Sequence, residues 1–432
     1  METTLIELVE QLNPWLQNQL NPILNLPDYI PREQTNTLLL PQWDSLCTTI
    51  TGPRQAGKTT LGKYICEKIL FEDRYEQLIY LNCDYLEIRQ WLQNTLFLSQ
   101  ISQQWKLSRY ILFIDEVQRL NSPGLFLKSI IDLKLPIKLI ASGSSQLEIK
   151  SKVQEHLTGR EFECLVLPLS YTELIHLHPS NQTLIFGSYP QIINSTNPQP
   201  LLQLLYQNYI NKDIVEILRI GNPDILQKLL TLIAHSSGQL INYTQLATDC
   251  KVSTKMITHY LDILERTYII YQLRPFLGNK RQEITSNPIY YFIDNGFRNQ
   301  ALRNFSSLET RTDIGLLIEN YVFQEIYKYK TQHFMDFDIK YWRTKGGAEV
   351  DFVLSINIET ILPIEVKYRN LSKPTIPRAL RSFIEAYQPP QAIIINKNLY
   401  ERHIIDNTTV HFIPLSRLEV LFEVFGNFGI KS

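Results

Sequence analysis

The chain has 432 residues, 44% of them hydrophobic and 20% charged, which suits a soluble globular protein of about three domains. A net charge of −1 gives no global basic field for nucleic acid, so any such contact must come from local patches. Five scattered cysteines without a CxxC pair point to reduced thiols in a cytoplasm rather than disulfides or structural zinc, and no apolar run approaches the roughly 18 residues of a membrane span. The opening METTLIELVE is acidic and has no signal-peptide pattern. His176-x-His178 lacks a third ligand nearby and reads as loop surface rather than half a metal site.

Residues 1–45 read as an ancillary helical segment. Leu5, Leu8, Val9 and Leu12 form an apolar stripe, and Pro14, Pro22, Pro27 and Pro31 interrupt the chain beyond it. The stripe suits packing on the next domain or docking of a partner.

Residues 46–170 alternate strand and helix, the pattern of a parallel α/β sheet covered on both faces. A short buried strand over Leu46 to Thr51 leads into Gly52-Pro53-Arg54-Gln55-Ala56-Gly57-Lys58-Thr59-Thr60, which fits the phosphate-loop pattern. A helix from Lys58 to Leu70 comes next, with Leu61, Ile65, Ile69 and Leu70 on one face. Such a loop wraps backbone N–H groups round phosphates, and the helix N-terminus adds partial positive charge. Lys58 would reach the β- and γ-phosphates, and the Thr59 hydroxyl would hold Mg²⁺. Further strands lie at Leu78 to Cys83 and Tyr110 to Ile114, the latter delivering Asp115-Glu116. Asp115 suits the Mg²⁺ hydration shell and Glu116 the attacking water, as in a Walker B pair. A strand over Ile137 to Ala141 ends in Ser142-Gly143-Ser144-Ser145, where Ser142 either meets the γ-phosphate or belongs to a serine-rich turn. Before a strand over Phe162 to Leu167, Arg160 is an arginine finger or sensor, or an ordinary surface arginine.

The runs GPRQAGKT, LFIDEVQ, IASGSSQLEI, LTGR, PLSYTEL and FGSYPQII together resemble one prokaryotic group. These are single-chain AAA-type ATPases carrying a C-terminal domain of unknown function (DUF4143). The resemblance runs in order over residues 46–400. It implies ATP rather than GTP, and it gives Arg54, Ser142 and Arg160 motif positions. Residues 171–220 read as helices, with Leu201 to Arg219 the longest, and the resemblance implies that they form a lid over the nucleotide, with Asn211-Lys212-Asp213-Ile214 resembling the lid motif.

Residues 221–300 suit a winged helix. Helices are expected over Ile225 to Ala234, over Tyr243 to Cys250 behind the cap Asn242, and over Thr254 to Arg266 behind the cap Ser253. Ile269 to Leu273 and Ile289 to Ile293 would be wing strands round a basic turn, Gly278-Asn279-Lys280-Arg281. Lys251, Lys255, Thr258 and His259 would face outward, where a major-groove reader makes its contacts. The segment holds eight Lys or Arg against six Asp or Glu, so DNA contact and protein contact both stay open.

Residues 301–432 hold a second constellation. A helix over Asp313 to Lys330 carries Glu319. After Tyr341-Trp342-Arg343 and a Gly346-Gly347 turn come a strand Glu349 to Leu354 and a return strand Leu362 to Lys367. Alternation puts Glu365 and Lys367 on one face, with Ile364 and Val366 entering the core. Paired as a hairpin, the strands bring Asp351 towards Glu365, with Glu319 or Glu349 as a third carboxylate. Converging carboxylates can bind one or two Mg²⁺ ions, and Lys367 can stabilise a nucleophile or the phosphate. The pattern resembles that of PD-(D/E)xK nucleases, with Val350 where that pattern opens on Pro. Lys367, Arg369, Lys373, Arg378 and Arg381 come in close succession with no acid between them, a footprint for phosphate. A helix over Ile376 to Tyr387 and a strand over Ala392 to Asn396 complete the restriction-endonuclease-like expectation.

The expected protein is thus an ATPase switch, using ATP and Mg²⁺, joined to a nuclease-like effector for DNA or another nucleic acid. The alternative is a nucleotide-timed signalling or scaffold protein whose winged-helix and C-terminal domains bind a protein partner or a second copy.

Overall fold

The computed structural model describes residues 3–18, 26, 29–93, 95–143, 157–176, 180–216, 222–277, 280–357 and 359–427. Pro22 and Pro27, Ser144 and Ser145, His178, Leu218 and Arg219, and Gly278 and Asn279 lie outside the described residues. The chain divides into two compact units, Met1–Leu167 and Pro168–Ser432. Among the described residues no helix is long and apolar enough to cross a membrane.

The first unit is built on five strands: β1 (Cys47–Thr51), β2 (Gln77–Asn82), β3 (Tyr110–Asp115), β4 (Ile137–Ser142) and β5 (Glu161–Leu165). All pair in parallel, in the order β2-β3-β4-β1-β5. β1 and β3 bury every residue, which is what a sheet covered on both faces requires. The helix Lys58–Phe71 lays Leu61, Ile65, Ile69 and Leu70 inward, as its spacing predicts. This α/β arrangement is that of a P-loop NTPase. The N-terminal helix Thr3–Leu12 packs Val9 into the core beside Ile79 and Leu81. Just beyond it, Asn13 closes the sheet's β2 edge. Its Nδ2 donates to Tyr80 O at 2.8 Å, and Tyr80 N donates to Asn13 Oδ1 at 2.6 Å. Trp15 Nε1 donates to Leu78 O at 2.7 Å on the same edge.

The second unit begins with short helices, the first opened by a Ser170–Glu173 capping box. The long helix expected over Leu201 to Arg219 is instead α-helical over Pro198–Asn208 and π-helical over Tyr209–Glu216. Helices Pro223–His235, Tyr243–Cys250 and Thr254–Arg266 come after it. The last two match their expected bounds because their caps are local. Asn242 accepts from Thr244 N and Gln245 N, and Ser253 accepts from Met256 N.

Next come β6 (Ile270–Pro275), β7 (Ile289–Phe292), β8 (Asp338–Arg343), β9 (Glu349–Ser355), β10 (Ile361–Val366), β11 (Gln391–Asn396), β12 (Glu401–Ile405) and β13 (Thr408–Pro414). They form one sheet in the order β12-β13-β11-β10-β9-β8-β6-β7. β6 and β7 are antiparallel, as expected, but β6 also pairs in parallel with β8 through Arg274↔Lys340. These two strands are therefore continuous with the C-terminal strands. The basic turn is also revised: Lys280 and Arg281 lie in a helix, Lys280–Thr285. Its Glu283 side chain accepts from Leu277 N at 3.0 Å and pairs with Lys340 at 2.9 Å, which ties this helix to the sheet. The helix Ile314–Gln332 packs on β7 and β10, and the helix Arg378–Tyr387 is the crossover between parallel β10 and β11.

Candidate functional site

At the C-terminal end of β1 the chain turns through Gly52 (φ 139°), Gln55 (φ 59°) and Gly57 (φ 98°) before the helix starts at Lys58. Gly52 is required by close approach as well as by φ, since a Cβ there would lie 2.1 Å from Val166 O. The Lys58 ammonium is folded back on the loop, donating to Gly52 O at 3.0 Å and Pro53 O at 2.8 Å. Thr59 Oγ1 donates to Asp115 Oδ2 at 2.9 Å. This joins the first turn of the helix to the tip of β3.

Asp115 is the hub. Tyr80 on β2 also donates to Oδ2, at 2.8 Å, while Glu116 N (3.2 Å) and the Ser142 hydroxyl donate to Oδ1. Ser142, at the tip of β4, has its hydroxyl engaged by Asp115. Glu116 adopts left-handed backbone (φ 54°), and its carboxylate accepts from Gln118 Nε2. Burial raises the Glu116 carboxyl above its ordinary range, against the pull of Lys58. Tyr80 and Gln118 were not singled out from the sequence. The signals that could have found them are a lone hydroxyl in the aliphatic strand LIYLN and a second polar group two residues after the Asp-Glu pair.

Arg160 is not brought to this cluster. It precedes β5, and Cys47↔Glu161 and Thr51↔Leu165 place it at the end of the sheet opposite Gly52, about 20 Å of strand away. There it pairs with Asp132 at 3.4 Å.

In the second unit the expected hairpin forms: β9 and β10 are antiparallel with Ile364 opposite Phe352. Asp351 Oδ2 accepts from Val366 N at 2.6 Å. Lys367 Nζ lies 2.6 Å from Glu365 Oε1 and 4.0 Å from Asp351 Oδ2. Glu365 and Lys367 meet on one side of the strand, but that side is not open around Glu365. β10 buries all six of its residues, and only Lys367 reaches out, with 38% of its side chain exposed. Glu365 Oε2 is buried with no hydrogen-bond partner. Burial and the Asp351 charge push the Glu365 carboxyl up to about 8. Burial raises Asp351 against the pull of Lys367. Burial and Asp351 together raise Glu319. Lys367 is raised in turn, the two carboxylates outweighing its own burial. Glu349 is turned to Arg343 at 3.4 Å.

Among the described residues no group of three or more His, Cys, Asp and Glu side chains is placed to hold a metal ion. The Lys367 ammonium rests against the carboxylate instead. The orphaned Glu365 oxygen and the mutual repulsion of the carboxylates nonetheless fit a cation that displaces that ammonium. Arg343, Lys345, Arg369, Lys373, Arg378 and Arg381 are exposed. His176 is also exposed.

Residues 44–175 match the family model described as an AAA domain. Residues 178–308 and 314–418 match two domains of unknown function, DUF8612 and DUF4143. An uncharacterized protein of Haemophilus influenzae is 23% identical over 278 residues, covering 59% of this chain and 68% of its own. One of Mycobacterium tuberculosis is 23% identical over 355 residues, covering 80% and 75%. One of Methanocaldococcus jannaschii is 23% identical over 336 residues, covering 71% of each. The solved structure of C. elegans PCH-2 aligns over 60% of this chain and 68% of its own at 16% identity, with a TM-score of 0.22, too low to bear on the fold. The chain is thus similar to AAA-type ATPases that carry a C-terminal DUF4143 domain.

Proposed function

We propose that the chain is an ATP-hydrolysing switch joined to a nuclease-like effector that binds or cuts nucleic acid with Mg²⁺. On this reading residues 52–60 cradle the polyphosphate, and Lys58 leaves the loop carbonyls for the phosphates. Thr59 and Asp115 hold Mg²⁺, Ser142 and Tyr80 fix Asp115, and Glu116 orients the attacking water once Gln118 releases it. The far-end position of Arg160 and its pair with Asp132 favour an ordinary surface arginine over a finger for the chain's own nucleotide.

In the second unit Asp351, Glu365 and Glu319 would hold the cation. When bound, it supplies an activated water and neutralises phosphate charge. Lys367, freed from Glu365, would stabilise the phosphate at the transition state. The helices Pro223–His235, Tyr243–Cys250 and Thr254–Arg266 followed by β6 and β7 support a winged-helix reading, with Lys251, Lys255, Thr258 and His259 exposed.

The observation that carries the effector assignment is the Asp351–Glu365–Lys367 cluster, with Glu365 buried and Lys367 reaching out, together with an exposed basic run. The test is cleavage of plasmid and single-stranded DNA with Mg²⁺ or Mn²⁺ by wild type, Asp351→Ala and Lys367→Ala. Cutting by wild type alone is expected. DNA binding without cutting in all three would reduce the effector to a binding module. The net charge of −1 favours the second reading, a nucleotide-timed scaffold for a protein partner. That reading predicts no salt-dependent DNA affinity at all.

A further inference from the structure

Glu319 lies on the helix Ile314–Gln332, yet its immediate walls come from the segment before it. Tyr291, on β7, donates from its hydroxyl to Glu319 Oε1 at 2.6 Å. Gly238, at φ 78°, packs so closely that a Cβ there would lie 2.3 Å from the same oxygen and 3.5 Å from the Tyr291 hydroxyl. A hydroxyl donor and a bare backbone therefore define where that carboxylate can sit. The Tyr291 ring cannot swing away. It is 1% exposed, stacked on Phe323 at 4.9 Å and tilted against Phe352 at 5.4 Å. Phe323 stands one helical turn after Glu319, and Phe352 is next to Asp351. The ring is thus clamped between the two elements that bring carboxylates to the site.

We propose that Tyr291 is a positioning residue for divalent-cation binding: it holds Glu319 towards Asp351, so the site's third acidic arm is set by the β6–β7 segment and not by the hairpin alone. The proposal rests on the reading of Asp351 and Glu365 as cation ligands. A hydrogen-bonding partner behind a ligating carboxylate fixes its orientation, and losing such a partner typically costs about 10- to 100-fold in metal affinity.

The test is Mn²⁺ titration of the full chain, reading free Mn²⁺ by electron paramagnetic resonance. The proteins are wild type, Tyr291→Phe, Glu319→Gln, the double variant and Asp351→Asn, with melting temperatures alongside. Tyr291→Phe keeps the ring stack and should melt near wild type while binding Mn²⁺ about 10-fold or more weaker. In the Glu319→Gln background the same change should have no further effect. An unchanged affinity for Tyr291→Phe, with Asp351→Asn binding lost, would overturn the positioning role and leave the cation site standing. Equal weakening in both backgrounds would also overturn it, as a general packing defect. Wild type and Asp351→Asn both failing to bind Mn²⁺ would remove the cation site itself, and this inference with it.

Discussion

Asp115 accepts from four donors supplied by four different places in the sequence: Thr59, Tyr80, Ser142 and its own neighbour Glu116. Three of those were legible: Thr59 and Glu116 because the P-loop and the Asp-Glu strand end are spacing patterns, and Ser142 because it ends an apolar strand in a polar run. Tyr80 was not, because its role depends on the β2–β3 register, which no local signal encodes. The same holds for Tyr291 behind Glu319. A buried ionisable group, Lys138 on β4, gives a sharp test of the packing at the opposite end of the first sheet from Asp115. Its ammonium donates to Trp43 O at 2.6 Å and Leu46 O at 3.1 Å, and burial lowers it to about 8. The unfolded lysine titrates near ~10.4, so between these values the unfolded chain binds more protons than the folded one. Stability carried by neutral Lys138 is therefore absent below pH 8 and gained as pH rises towards ~10.4. Relative to Lys138→Met, wild type should gain up to about 3 kcal/mol between pH 7.5 and pH 10, as read by urea unfolding. A difference independent of pH would mean that Lys138 is charged throughout.

Elements with local causes were read well from sequence. The buried strands of the first sheet have continuous apolar runs, and the helices Tyr243–Cys250 and Thr254–Arg266 announce themselves by Asn242 and Ser253. Elements with distant causes were not. The parallel pairing of β6 with β8, and the strands β12 and β13 at the far edge, depend on partners many residues away. The turn redrawn as the helix Lys280–Thr285 is anchored by Glu283 to Lys340, again a distant partner. Asn13 shows what such a tie can contribute to one element. Both of its hydrogen bonds to Tyr80 satisfy backbone groups on an edge strand. Asn13→Ala would leave that N–H and C=O unpaired in a buried setting, at a cost of about 1–3 kcal/mol. The urea midpoint should fall accordingly. A midpoint within error of wild type would show that water or neighbouring chain replaces the amide.

At the scale of the whole molecule, the two units carry one constellation each. The parallel sheet presents Lys58, Thr59, Asp115 and Glu116 at one end of its strands. The mixed sheet carries Asp351, Glu365 and Lys367 on the β9–β10 hairpin, and Tyr291 of the preceding segment donates to Glu319. The proposed activity needs both, with nucleotide turnover in the first controlling nucleic-acid chemistry in the second. The first is the more fundamental, since a switch that does not hydrolyse nucleotide has nothing to transmit. The decisive measurement is therefore Mg²⁺-dependent phosphate release from ATP by wild type and Lys58→Ala under matched conditions. The account predicts steady turnover by wild type and a loss of about 100-fold or more in the variant, the scale expected when a charged group facing the transferred phosphate is removed. Equal rates in the two proteins, or no turnover in wild type that binds ATP, would contradict it.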